Sequence, residues 1–174
     1  EQFLLNPDLG RTVSKISRDS LVKAANGNSD FVLIIGDGLS AMAVHKNAWD
    51  FTRKFLELTK MAGLTAGPIV LAKYARVGLG DPVGEALKSQ ATVMLIGERP
   101  GLASADSLSV YLTYHPSAKN SDAQRNCISN IHGAGLSPEG AAHMTEFLLK
   151  TALKNQLSGV DLKVEYPAIA TKPV

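Results

Sequence analysis

A single cysteine, Cys127, in 174 residues rules out an internal disulfide and fits a reducing compartment. No apolar run approaches the ~20 residues that span a bilayer, so no membrane is expected as a partner. Neither sign of charge dominates. The formal net charge is +2 and the signs are interspersed, which argues against nucleic acid or an anionic membrane as the main partner. The four histidines, His45, His115, His132 and His143, show neither H-x-x-x-H nor H-E-x-x-H spacing, and with one cysteine no zinc site is expected. A G-x-S-x-G elbow, a G-x-x-x-x-G-K-[ST] loop, a fixed-period repeat and a low-complexity run are all missing. The opening Glu1-Gln2-Phe3-Leu4-Leu5-Asn6-Pro7 lacks the basic-then-apolar order of a signal peptide. Because it starts without methionine, an N-terminal part is expected to lie outside this sequence.

What remains is ordinary for a globular domain: 45% hydrophobic and 20% charged residues, in a chain long enough to bury a core without staples. Asn6-Pro7-Asp8 starts a short helix, and Val13, Ile16, Leu21, Val22 and Ala25 recur at roughly helical spacing. Phe31 to Ile35 is a buried strand. A helix from about Ser40 to Met61 follows, with Trp49, Phe51, Phe55 and Leu56 expected inward. Ile69 to Val77 reads as a second strand, Asp81-Pro82 as the start of a short helix, Val93 to Ile96 as a third strand and Leu108 to Tyr114 as a fourth. Pro116 to Gln124 is a polar loop and Cys127 to Ile131 a fifth strand. Ser137-Pro138-Glu139 opens the last helix, and Val160 to Glu165 reads as a short strand or arm before a loose tail. Strands alternating with helices predict an α/β fold, a mostly parallel sheet flanked by helices. Residues 1–30 form a helical arm, 31–157 the main domain and 158–174 a tail.

Two turns stand out. Gly36-Asp37-Gly38-Leu39-Ser40-Ala41 fits the dinucleotide pattern G-x-G-x-x-G/A, although Asp37 puts a carboxylate where phosphate would sit. A tight structural turn fits it better, and a loop cupping a neutral, amide-rich ligand is a further reading. Glu98-Arg99 lies where a buried strand meets a Pro100-Gly101 turn, the rim at which open α/β sheets bind ligands. The two are either a solvated surface couple or a pair in which Glu98 accepts from amide donors and Arg99 pairs an anionic group. Cys127 reads as a small hydrophobe or a binding-face residue. No catalytic machinery is visible.

Ile96-Gly97-Glu98-Arg99-Pro100-Gly101-Leu102, followed by Arg125-Asn126-Cys127-Ile128-Ser129-Asn130-Ile131, resembles the small (light) subunit of ethanolamine ammonia-lyase. Val32 to Ala41 and Leu4 to Arg11 carry the same likeness, which extends to about Leu157. The resemblance implies a Rossmann-like, cobalamin-binding domain that closes over adenosylcobalamin against a catalytic large subunit. It implies an enzyme that converts ethanolamine to acetaldehyde and ammonia, with this chain inactive alone, in the cytoplasm within a bacterial microcompartment. It places Val77, Glu98 and Cys127 at the cofactor, with Arg99, Ser129 and Asn130 as further candidates. Many cobalamin mutases carry D-x-H-x-x-G. Here Asn130-Ile131-His132-Gly133-Ala134-Gly135 has no such aspartate, so the cofactor is expected to keep its own base on cobalt. The alternative is a free-standing nucleotide-binding enzyme using Gly36 to Ala41.

Overall fold

The computed structural model describes residues 5–27, 29–99, 101 and 104–166. Pro100 of the expected turn and residues 167–174 of the expected tail therefore lie outside the described residues. Five strands form one sheet in the order β2-β1-β3-β4-β5, with β1 at Phe31–Gly36, β2 at Val70–Ala72, β3 at Ala91–Gly97, β4 at Leu108–Tyr114 and β5 at Arg125–Ile131. Among the described residues, four α-helices accompany them: α1 Lys15–Ala24, α2 Ala41–Met61, α3 Gly80–Leu87 and α4 Pro138–Asn155. Among the described residues, no helix is long and apolar enough to cross a membrane.

The α/β class holds, but the sheet is mixed rather than mostly parallel. β1 pairs in parallel with β2 and β3, whereas β3–β4 and β4–β5 pair antiparallel. The reason lies in chain length. Parallel neighbours need a crossover of about a dozen residues or more, and α2 and α3 supply them. Residues 98–107 and 115–124 are too short, so β4 turns straight back beside β3 and β5 beside β4. β5 consequently runs in the same direction as β1, β2 and β3.

Alternation along each strand divides the core between two faces. Phe31 and Leu33, Val93 and Leu95, and Leu108, Val110 and Leu112 point to the first face, where α2 contributes Phe51 and Phe55 and α4 contributes Leu148 and Leu149. The three phenylalanines stack there, Phe55 edge-on to Phe31 with centroids 5.2 Å apart and parallel to Phe51 at 5.5 Å. Val32, Ile34, Met94 and Ile96 point to the second face, covered by Leu79, Val83 and Leu87 from the α3 segment and by Leu21 of α1. β1 and β3 are covered on both sides and are apolar apart from Thr92. α3 is only eight residues long and packs over β3 and β1.

Three further expectations change. Trp49 is 73% exposed on α2 rather than inward. The second strand stops at Ala72, and Val77 begins a 3-10 turn, Val77–Leu79, rather than ending a strand. Residues 160–165 form an irregular arm and no strand, with Leu162 buried against the first face.

Candidate functional site: an open polar face on the sheet

β4 reads Leu108-Ser109-Val110-Tyr111-Leu112-Thr113-Tyr114. Its apolar members fill the first face, so Ser109, Tyr111 and Thr113 face the second. The neighbouring strand adds Cys127, opposite Tyr111, and Arg125, opposite Thr113. α3 does not blanket this part of the sheet: Tyr111 is half-buried, and Cys127 and Ser129 are exposed. The result is an open strip, with α3 and the Val77 turn along one side and β5 along the other.

Glu98 sits at the strip's end, one residue past β3. Its backbone N–H donates to Ser107 O at 2.9 Å, and its carboxylate accepts from Ser109 Oγ. The preceding loop is pinned to α2. Lys46 Nζ donates to Asp106 at 2.8 Å, Asn47 Nδ2 to Asp106 O at 2.7 Å and Ser40 Oγ to Ala105 O at 3.0 Å. Lys46, together with Ser104, holds the Asp106 carboxyl below the usual carboxylate range.

Burial pushes the Tyr111 hydroxyl up to about 12, with the Cys127 thiol and then Glu98 adding to the shift. Partial desolvation likewise pushes the Cys127 thiol up, against hydrogen bonds with Tyr111 and Ser109 that pull it down; the nearby Glu98 charge adds to the rise. A thiol held protonated is a poor nucleophile. Cys127 is therefore a polarizable contact, exposed rather than the buried hydrophobe that was one reading.

The structure thus gathers Glu98 and Cys127 around Ser109 and Tyr111. Val77 packs on the same second-face cluster as Tyr111, so all three lie on one side of the sheet. Ser129 is exposed two residues along β5 from Cys127. Arg99 is exposed just beyond Glu98. Asn130 is turned elsewhere: it has φ 61° and its side chain is bound to His132. His132 Nδ1 accepts from Ala134 N at 3.3 Å, so Nε2 carries the proton and donates to Asn130 Oδ1 at 2.8 Å. Both ring nitrogens are spent inside the turn.

The glycine-rich turn after β1 is closed. Asp37 accepts from Tyr74 N at 2.9 Å and Ala75 N at 3.0 Å, Leu39 N donates to Gly97 O at 3.0 Å, and Ser40 Oγ caps α2 by accepting from Ala43 N at 3.2 Å. A Cβ on Gly38 would lie 2.3 Å from Gly97 O. Backbone and carboxylate fill the space a pyrophosphate needs, and the turn serves the fold. Among the described residues, no group of three or more His, Cys, Asp or Glu could hold a metal.

Ser109 and Tyr111 were not singled out from the sequence. The signal was present in β4 as strict alternation of apolar and polar residues, the mark of a strand buried on one side only.

These features define an α/β domain with a mixed sheet whose last two strands keep part of one face open. Comparison with known proteins narrows the class. Residues 1–163 match the family model described as Ethanolamine ammonia-lyase light chain (EutC), and the chain belongs to that family. It is 47% identical over 167 residues to the ethanolamine ammonia-lyase small subunit of Pseudomonas putida (strain GB-1), covering 94% of this chain and 61% of that protein. The small subunit of Rhodopseudomonas palustris (strain BisA53) is 48% identical over 161 residues, 92% of this chain and 62% of that protein. That of Xanthomonas campestris pv. campestris (strain B100) is 45% identical over 166 residues, 94% and 61%. The chain spans about three fifths of the length of these curated relatives.

Proposed function

We propose that this chain forms one wall of an adenosylcobalamin site in an ethanolamine ammonia-lyase, with a large subunit supplying the other wall and the ethanolamine pocket. The reaction would release acetaldehyde and ammonia, in the cytoplasm and within a bacterial microcompartment. When bound, the cofactor supplies the radical chemistry. This chain's part is to bind and orient, which suits a face without an acid–base pair poised for proton transfer.

The observation that carries the reading is the open strip itself. A corrin is broad and edged with neutral amides, whose N–H groups need acceptors and whose carbonyls need donors. Glu98 offers a carboxylate already oriented by the buried Ser109, while Tyr111, Ser129 and the Cys127 thiol offer small polar contacts. Val77 adds an apolar edge, and Arg99 is free to turn toward an anionic group beyond the rim. The donor set fits a large neutral ligand better than a phosphate. With His132 tied to Asn130 and Ala134, no histidine of that turn is free to displace the cofactor's own base, which favours the base-on form.

Mixing the chain with the large subunit, cofactor and ethanolamine should release ammonia faster than the large subunit alone; no gain rejects the proposal. In that complex, Glu98→Ala should weaken cobalamin binding by roughly 1–3 kcal/mol, the scale of a lost hydrogen bond to a charged group. An absorbance titration measures it.

A further inference from the structure

Arg125 opens β5 and belongs to the same side of that strand as Cys127. Its guanidinium reaches across β4 to the carboxylate of Asp81 in the first turn of α3, and the two side chains are only 6% and 5% exposed. Arg125 Nη1 also donates to Asp122 Oδ1 at 2.7 Å, and Asn120 Nδ2 donates to Asp81 Oδ1 at 3.2 Å. α3 and β5 are thereby joined at the strip's end opposite Glu98. No strand pairing links them, since β5 pairs with β4 and α3 lies over β3 and β1.

We propose that Asp81 and Arg125 are positioning residues: their buried pair is a strap that sets the width of the open face between α3 and β5. The strap acts through packing. Asp81 anchors the segment whose Val77, Leu79 and Val83 form the cluster on which Tyr111 leans, and Tyr111 sits opposite Cys127 on the neighbouring strand. If α3 drifts outward, Tyr111 loses its backing and Cys127 its partner. Stability alone is a poor reason to keep such a pair, because apolar residues of similar volume are often at least as stable. Holding two unpaired elements at a set distance is what apolar replacements, lacking direction, do badly. The consequence for a corrin rests on the binding reading above.

The lone cysteine makes the test direct. Three forms of the chain are compared: the natural one, Arg125→Met, and Asp81→Leu/Arg125→Met. Arg125→Met alone should lower the melting temperature, since it leaves a buried carboxylate unpaired. The double variant should regain the melting temperature, yet its Cys127 should react with iodoacetamide about threefold faster as the thiol rehydrates. The double variant loses one charge of each sign, so the pair's net effect on the thiol changes little and a faster rate reports movement rather than charge. In complex with the large subunit, the double variant should bind hydroxocobalamin roughly tenfold more weakly by absorbance titration, the scale of a lost supporting contact. Unchanged labelling in the folded double variant overturns the strap, whether or not cobalamin binds. Faster labelling with unchanged affinity overturns its bearing on the ligand. Failure of the natural complex to bind cobalamin sinks the binding reading, while labelling still decides the strap. Should the double variant not fold, Arg125→Lys, which keeps the charge but loses the planar fork, is judged on the same two readouts.

Discussion

Tyr111 shows how one side chain's surroundings become measurable. Its hydroxyl is pushed up to about 12, chiefly by burial, from an ordinary value near 10. The folded state then holds the proton more tightly than the unfolded state does. Stability from this group is complete below pH ~10 and is lost as pH rises toward ~12, because the unfolded chain releases its proton first. Urea denaturation at rising pH should show a falling midpoint across that window, with a shallower fall in Tyr111→Phe; an identical slope in the two proteins would remove Tyr111 as the cause. Trp49 carries a different lesson. Helical spacing placed it on the inner stripe with Phe51 and Phe55, but only the phenylalanines reach the core. Spacing defines a stripe, and its edge residues go in or out according to what α4 leaves uncovered.

Among the elements, the junction of β1, α2 and β3 is tight. A Cβ on Gly97 would meet Ser40 O at 2.2 Å and Asp37 O at 2.6 Å. Both are backbone atoms, and Asp37 is held in turn by Tyr74 N and Ala75 N. Gly97→Ala should therefore destabilise the fold by about 1–3 kcal/mol, the usual cost of overpacking, read as a drop in denaturation midpoint. A smaller change would mean that the turn can give way. Glu98 is the next residue, so on the proposed cobalamin reading affinity in the complex should fall with stability in that variant. The direction of β4 belongs to this scale too. Apolar runs and turn residues located five strands, yet the alternation of strand and helix suggested mostly parallel pairing. The two connections of ten residues, each without an α-helix, were the better guide to strand direction.

Across the whole molecule, one sheet serves two purposes. Its first face is a closed core of three phenylalanines and the buried sides of α2 and α4. Its second face is closed over β1, β3 and the ends of β4, and open around Tyr111, Cys127 and Ser129. Because both faces share the same strands, damage to the closed side should reach the open one. Phe55→Ala, far from Cys127 and on the opposite face, should cost about 3–5 kcal/mol. It should shift the urea transition seen by circular dichroism and that seen by Cys127 labelling to the same extent, as a single cooperative unit does. Separate shifts would show that the β4–β5 edge opens on its own.

Residue type and order were enough to locate the five strands, three of the four α-helices closely, the α/β class and the blocks that mark the family, because each rests on local hydrophobic period, capping and turn chemistry. Glu98, Cys127 and Val77 were named from the family blocks. Their common side of the sheet, and the company of Ser109 and Tyr111, came from pairing register, a property of strands far apart in the chain. The closed role of the glycine turn depended on Gly97 arriving from 60 residues downstream of Asp37. Asp81 and Arg125, 44 residues apart, meet only because β4 doubles back and brings β5 beside α3. Long-range contacts of this kind leave no local period to read, since each partner is, in its own segment, simply one more charged residue.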